Sequence, residues 1–146
     1  MKLLSLLLFS SFVLSASPWL NNLEDAKKTA QEKHELILLN FSGSDWCAPC
    51  IRLHKDIFGS DDFKKYADDN LVLVNADFPR LKKNQLSKEQ VKQNEALADK
   101  YNPKGKFPLT LLLDADGKVL KSFDGFPDVS AAEFTDQIKE AAHVRN

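Results

Sequence analysis

The sequence predicts an α/β fold, a central mixed β-sheet of about four strands flanked by helices on both faces. Three observations predict it. Two short, unbroken apolar runs, Leu36 to Phe41 and Leu71 to Ala76, have the character of strands buried on both faces. Segments with apolar residues at helical spacing flank and separate them. Near the C-terminal end, apolar runs bracket Asp114-Ala115-Asp116-Gly117, an Asp-Gly hairpin signal.

Taken in order, Asn22 to Glu35 is polar and rich in helix formers, with Leu23, Ala26 and Ala30 one helical turn apart and a cap near Asn21 or Asn22. The first strand follows, then a turn at Ser42-Gly43-Ser44-Asp45. From Cys47 onward, Ile51, Leu53, His54, Ile57 and Phe58 recur at helical spacing, which predicts one continuous helix with Cys47 at its N-terminus and Cys50 one turn inside. Gly59-Ser60 breaks it. Ser60-Asp61-Asp62 caps a short helix to about Asp69, with Phe63 and Tyr66 facing inward. After the second strand, Phe78 to Ser87 reads as a surface loop of no special composition. Ser87 with Gln90 fits a capping box for a helix to Tyr101, ended by Asn102-Pro103-Lys104-Gly105. Leu109–Leu113 and Val119–Phe123 are the hairpin strands. Ser130 caps a last helix whose inward stripe is Phe134, Ile138 and Ala141.

The chain has 146 residues, 43% of them apolar, enough for one domain with its own core. Lys and Arg number 20 against 21 Asp and Glu, so no positive field draws the chain to nucleic acid or an anionic membrane. Met1-Lys2, an apolar run from Leu3 to Leu14 and the small residues Ser15, Ala16 and Ser17 form a signal-peptide pattern, too short for a stable membrane anchor. Residues 1–17 are therefore expected to be removed after Ser15 or Ser17, leaving 18–146 as a periplasmic or secreted domain. No dimerisation segment is visible, so a monomer is expected.

The chain's two cysteines, Cys47 and Cys50, lie in one C-x-x-C. Disulfide staples in small exported domains come as several spread pairs, and a three-residue loop stabilises little, so chemistry is the better explanation. Disulfide exchange needs a thiolate nucleophile and a nearby thiol that resolves the mixed disulfide. A helix N-terminus lowers a cysteine pKa, which suits Cys47 as nucleophile and the deeper Cys50 as resolving residue. Trp46 offers an apolar wall for substrate. Pro49 fits a first helical turn, and with Ala48 it completes the active-site loop.

Trp46-Cys47-Ala48-Pro49-Cys50 opening a helix after an apolar strand, with Phe107-Pro108 before an apolar strand and hairpin, resembles the thioredoxin superfamily, in particular its exported bacterial branch that includes DsbH-type oxidoreductases. The resemblance runs from about residue 22 to 143 and implies a thioredoxin-like fold, thiol:disulfide exchange, and no cofactor beyond the redox-active Cys47–Cys50 pair. It also implies that Pro108 is a cis-proline against the dithiol, that Phe107 offers backbone to an extended substrate, and that protein or small thiol substrates and a DsbD-type membrane donor are the partners. Two positions depart from the family. Asn40 stands where thioredoxins carry a buried Asp that manages the proton of the resolving thiol, leaving Asp45, Asp77, Glu35 or a water chain to replace it. Ala48 replaces the usual Gly. Asn40-Phe41-Ser42 is also a glycosylation sequon, in a strand expected to be buried.

Pro49 before Cys50, with no cation in the loop, favours a reductase. The alternatives are an oxidase or isomerase of secreted disulfides, and a metal-binding module using Cys47, Cys50 and His54; a lone C-x-x-C supplies too few ligands for structural zinc.

Overall fold

The computed structural model describes residues 18–144, and the expected leader, 1–17, lies outside the described residues. The elements are α1 (Leu23–Lys33), β1 (Leu36–Ser42), α2 (Ala48–Arg52), a π turn (Leu53–Ile57), α3 (Asp61–Asn70), β2 (Leu71–Asp77), a 3₁₀ turn (Lys82–Asn84), α4 (Lys88–Tyr101), β3 (Leu109–Leu113), β4 (Val119–Asp124) and α5 (Ala131–His143). The strands form one mixed sheet in the order β2-β1-β3-β4. β1 pairs parallel with β2 and antiparallel with β3, and β4 adds antiparallel to β3.

Every residue of β1 is buried, as expected for a central strand covered on both faces. The period of two then sorts its side chains. Ile37, Leu39 and Phe41 join Leu23, Ala26 and Ala30 of α1 in one core, whereas Leu36 and Leu38 join Leu53, Ile57, Phe63, Phe134 and Ile138 in the other. The face that carries Leu38 therefore looks toward the cysteine helix, α3 and α5.

Caps set several helix ends. Asn22 accepts from the backbone N–H groups of Glu24 and Asp25, and Ser60 accepts from Phe63 N. Ser130 and Glu133 form a reciprocal capping box at α5. The box expected at α4 is only half made. Ser87 accepts from Gln90 N, but the Gln90 side chain donates to Asn21 O and Asn94 Oδ1 instead of reaching back, tying α4 to the segment before α1.

Two sequence expectations change. The helix after Cys47 is not a uniform α-helix: Phe58 N bonds Leu53 O five residues back in a π turn, and although Leu53, Ile57 and Phe58 are buried, Ile51 is exposed. The Phe78–Ser87 stretch is also more than a loop without features. It carries the 3₁₀ turn, and its backbone is fastened to the turn before the cysteines, as described below.

Candidate active site

Cys47 is the N-cap residue of α2, with extended backbone angles, and its carbonyl accepts from Ile51 N. Cys47 and Cys50 are joined in a disulfide with Cα atoms 5.2 Å apart. Cys47 is 5% exposed and Cys50 fully buried, so the two cysteines meet solvent unequally. Ala48 and Pro49 between them are exposed and form the rim. With Pro49 in the first turn, its missing N–H costs no helical bond.

Trp46 is half-buried and tightly held. Its indole N–H donates to Phe78 O at 2.7 Å, the Arg80 guanidinium lies 3.6 Å over its ring, and the Phe107 ring meets it edge-on with centroids 5.5 Å apart. Phe78 and Phe107 are in turn edge-to-face at 5.4 Å. The Phe107–Pro108 peptide is cis, and the Phe107 ring belongs to the aromatic group that includes Trp46 and Phe78. Gly43 is required by this packing, because a Cβ there would run into the Trp46 indole. Gly43→Ala is expected to displace the ring, shifting tryptophan emission and lowering stability by about 1–3 kcal/mol in urea unfolding; unchanged emission and midpoint would mean the ring yields freely.

The acidic residues near the motif do structural work. Asp45 accepts from Arg80 N, Leu81 N and the Asn84 side chain, and these bonds, the one from Arg80 N foremost, hold its carboxyl below the usual carboxylate range. Asp77 accepts from Ser44 N, the Ser44 hydroxyl and Phe78 N. Together they pin the 78–84 segment to the 42–45 turn. Glu35, whose carboxyl burial pushes up, lines a separate cleft with Tyr66, Asp69 and Lys139.

Beneath Cys50 lies a polar row that sequence reasoning caught only in part. Asn40 on β1 is in register with Asn75 on β2 and Thr110 on β3, so the three side chains cross the sheet side by side. Asn40 is fully buried, which also closes its sequon to modification. Its amide donates to Thr110 Oγ1 at 2.9 Å and to Leu109 O at 3.4 Å, and its Oδ1 is 3.0 Å from His54 Nε2. The His54 ring packs against Trp19 and Phe58, each with centroids at 5.1 Å. Among the described residues, no group of three His, Cys, Asp or Glu is placed to hold a metal ion, and His54 is directed to Asn40. The signal for the row was present in the sequence: Leu-Ile-Leu-Leu-Asn40 and Leu-Val-Leu-Val-Asn75 place an amide at the same step of two adjacent strands.

The Thioredoxin-like domain family matches residues 23–142. The chain belongs to this thioredoxin-like family. It is 36% identical over 121 residues to the disulfide bond reductase DsbH of Chlamydia pneumoniae, covering 83% of this chain and 70% of that protein. It is 25% identical to the thioredoxin-related protein DsbJ of the same organism, over 82% of this chain but only 34% of that protein. Among solved structures, a DsbH oxidoreductase superposes with a TM-score of 0.80 at 33% identity, covering 90% of this chain and 88% of that one. A thioredoxin from Thermus thermophilus shares the fold alone, with a TM-score of 0.63 at 14% identity over 88% of each chain. With the fold, the motif and these relatives together, this thioredoxin-like chain is a thiol:disulfide oxidoreductase whose redox-active group is the Cys47–Cys50 disulfide.

Proposed function

We propose that the protein is exported, with residues 1–17 as its leader, and that it reduces protein disulfides by dithiol exchange. The observation that carries the exchange step is the unequal burial of the two cysteines, 5% exposure at Cys47 against none at Cys50. Cys47 attacks a substrate disulfide, and Cys50 then attacks the mixed disulfide and releases the reduced substrate. Trp46, Phe107 and Pro108 form the surface on which an extended substrate rests, with Ala48 and Pro49 at its edge. The reductase direction draws on the 36% identity to a protein named a disulfide bond reductase. Each turnover leaves Cys47 and Cys50 oxidised, so a donor must re-reduce them, and a DsbD-type membrane donor is the partner the family resemblance implies.

Equilibration with glutathione tests the direction. A reduction potential near about −270 mV is expected, whereas one near about −120 mV would mark an oxidant and end the reductase reading.

A further inference from the structure

Thiol attack by Cys50 must dispose of a proton, and the nearby carboxylates are committed elsewhere. Asp45 holds the 80–84 backbone, Asp77 holds Ser44 and Phe78, and Glu35 sits in another cleft. One titratable ring remains beside Cys50. His54 lies one turn further along the chain, and Cys50 and His54 line the same cleft of about 380 Å³ together with Ser42, Ser44, Lys55 and Asn75. Resting on the exchange reading of Cys47 and Cys50, we propose that His54 is the proton acceptor for the resolving thiol, taking the Cys50 proton across the cleft they share.

The hydrogen bonds assign the ring's tautomer. Leu109 O can only accept, so the Asn40 atom facing it is the amide nitrogen, and Asn40 Oδ1 is the atom turned to His54. An amide oxygen also only accepts. His54 Nε2 therefore carries the hydrogen and donates to Asn40, which makes Nδ1 the unprotonated nitrogen of the neutral ring. The Leu109 carbonyl, through Asn40, thus sets which nitrogen acts as base.

Electrostatics agree with this arrangement. Burial, the largest influence, lowers the His54 pKa below its ordinary value and favours a neutral ring ready to accept; the Asn75 side chain and the Asp77 charge pull the other way and favour the protonated ring. Asn75 Oδ1 is itself buried without a hydrogen-bond partner. Among the described residues, the other charged or titratable groups at the cleft are Lys55, on the same turn as His54, and Cys50. The aromatic neighbours Trp19 and Phe58 add no charge. A thiolate formed at Cys50 would raise the ring's proton affinity further, so proton and charge move together.

In the step itself, the Cys50 S–H proton passes to His54 Nδ1 as Cys50 Sγ attacks Cys47 Sγ. The Cys47–Cys50 bond forms, the bond from Cys47 to the substrate sulfur breaks, and the substrate leaves as a thiolate that takes up a proton from the imidazolium or from water. The dithiol is oxidised by two electrons and the substrate disulfide is reduced by two.

The reduced full chain, mixed with one equivalent of the chromogenic disulfide DTNB, reports the two steps separately. The first coloured thiolate is released when Cys47 attacks, and the second when Cys50 resolves the adduct. His54→Gln keeps a donor for Asn40 but cannot take a proton. It is expected to slow the second release by about tenfold or more near neutral pH and to remove the imidazole inflection from its pH profile. His54→Glu should restore the second release with the inflection moved to the carboxylate range. A second release with unchanged rate and pH profile in His54→Gln, while the first release persists, would overturn the proposal. Absence of the first release from the parent protein would instead remove the exchange reading on which it rests.

Discussion

Cys47→Ser is expected to abolish disulfide reduction, a loss on the order of a thousandfold or more because the attacking thiolate is gone. Cys50→Ser is expected to stall with substrate covalently held on Cys47. The two variants should therefore differ in kind. Cys47 keeps a small solvent exposure beside Trp46, where a substrate sulfur can reach it, whereas Cys50 is fully buried and bonded to it. Insulin reduction measures the loss. Non-reducing electrophoresis and intact mass measure the trapped adduct. If Cys50→Ser traps nothing and Cys47→Ser behaves identically, the separate roles are wrong.

The largest stability effect is expected at Phe134. Its side chain is fully buried on α5, with ring centroids 4.8 Å from Phe123 on β4 and 6.3 Å from Phe58 at the end of the π turn. Phe134→Ala removes the group that joins a helix, an edge strand and the turn carrying His54. Interiors are close-packed and the sheet beneath cannot collapse into the space, so the lost burial and the remaining cavity together should cost about 3–5 kcal/mol. Urea unfolding measures it. A cost below about 1 kcal/mol would show that α5 settles inward and that this side of the core is loosely packed. Thiol titration of the folded fraction should still find Cys47 reactive, since Phe134 has no ring contact with Trp46 or Phe107 among those described.

Much of this architecture was legible from residue order. The strands at Leu36 and Leu71, the hairpin around Asp114-Ala115-Asp116-Gly117 and the caps at Asn22, Ser60 and Ser130 are local signals, and each depends on neighbours within a few positions. The π turn was not legible. Leu53, His54, Ile57 and Phe58 satisfy helical spacing closely enough, and the wider turn there ends on Phe58, whose ring packs against Trp19, Phe63 and Phe134 from distant segments. Nor was the 78–84 segment, whose order comes from Asp45 and Asp77, carboxylates that in sequence alone were candidate proton acceptors.

For the site, sequence by itself narrowed the chemistry: two cysteines three apart at a helix start suit a nucleophile and a resolving thiol, and Trp46 with Phe107-Pro108 carries the family resemblance. Tertiary structure alone decided how the proton can be handled. Asn40, Asn75 and Thr110 come from three strands, and their alignment beneath His54 and Cys50 depends on sheet register, which is a property of pairing between distant segments and is written in no single stretch of sequence.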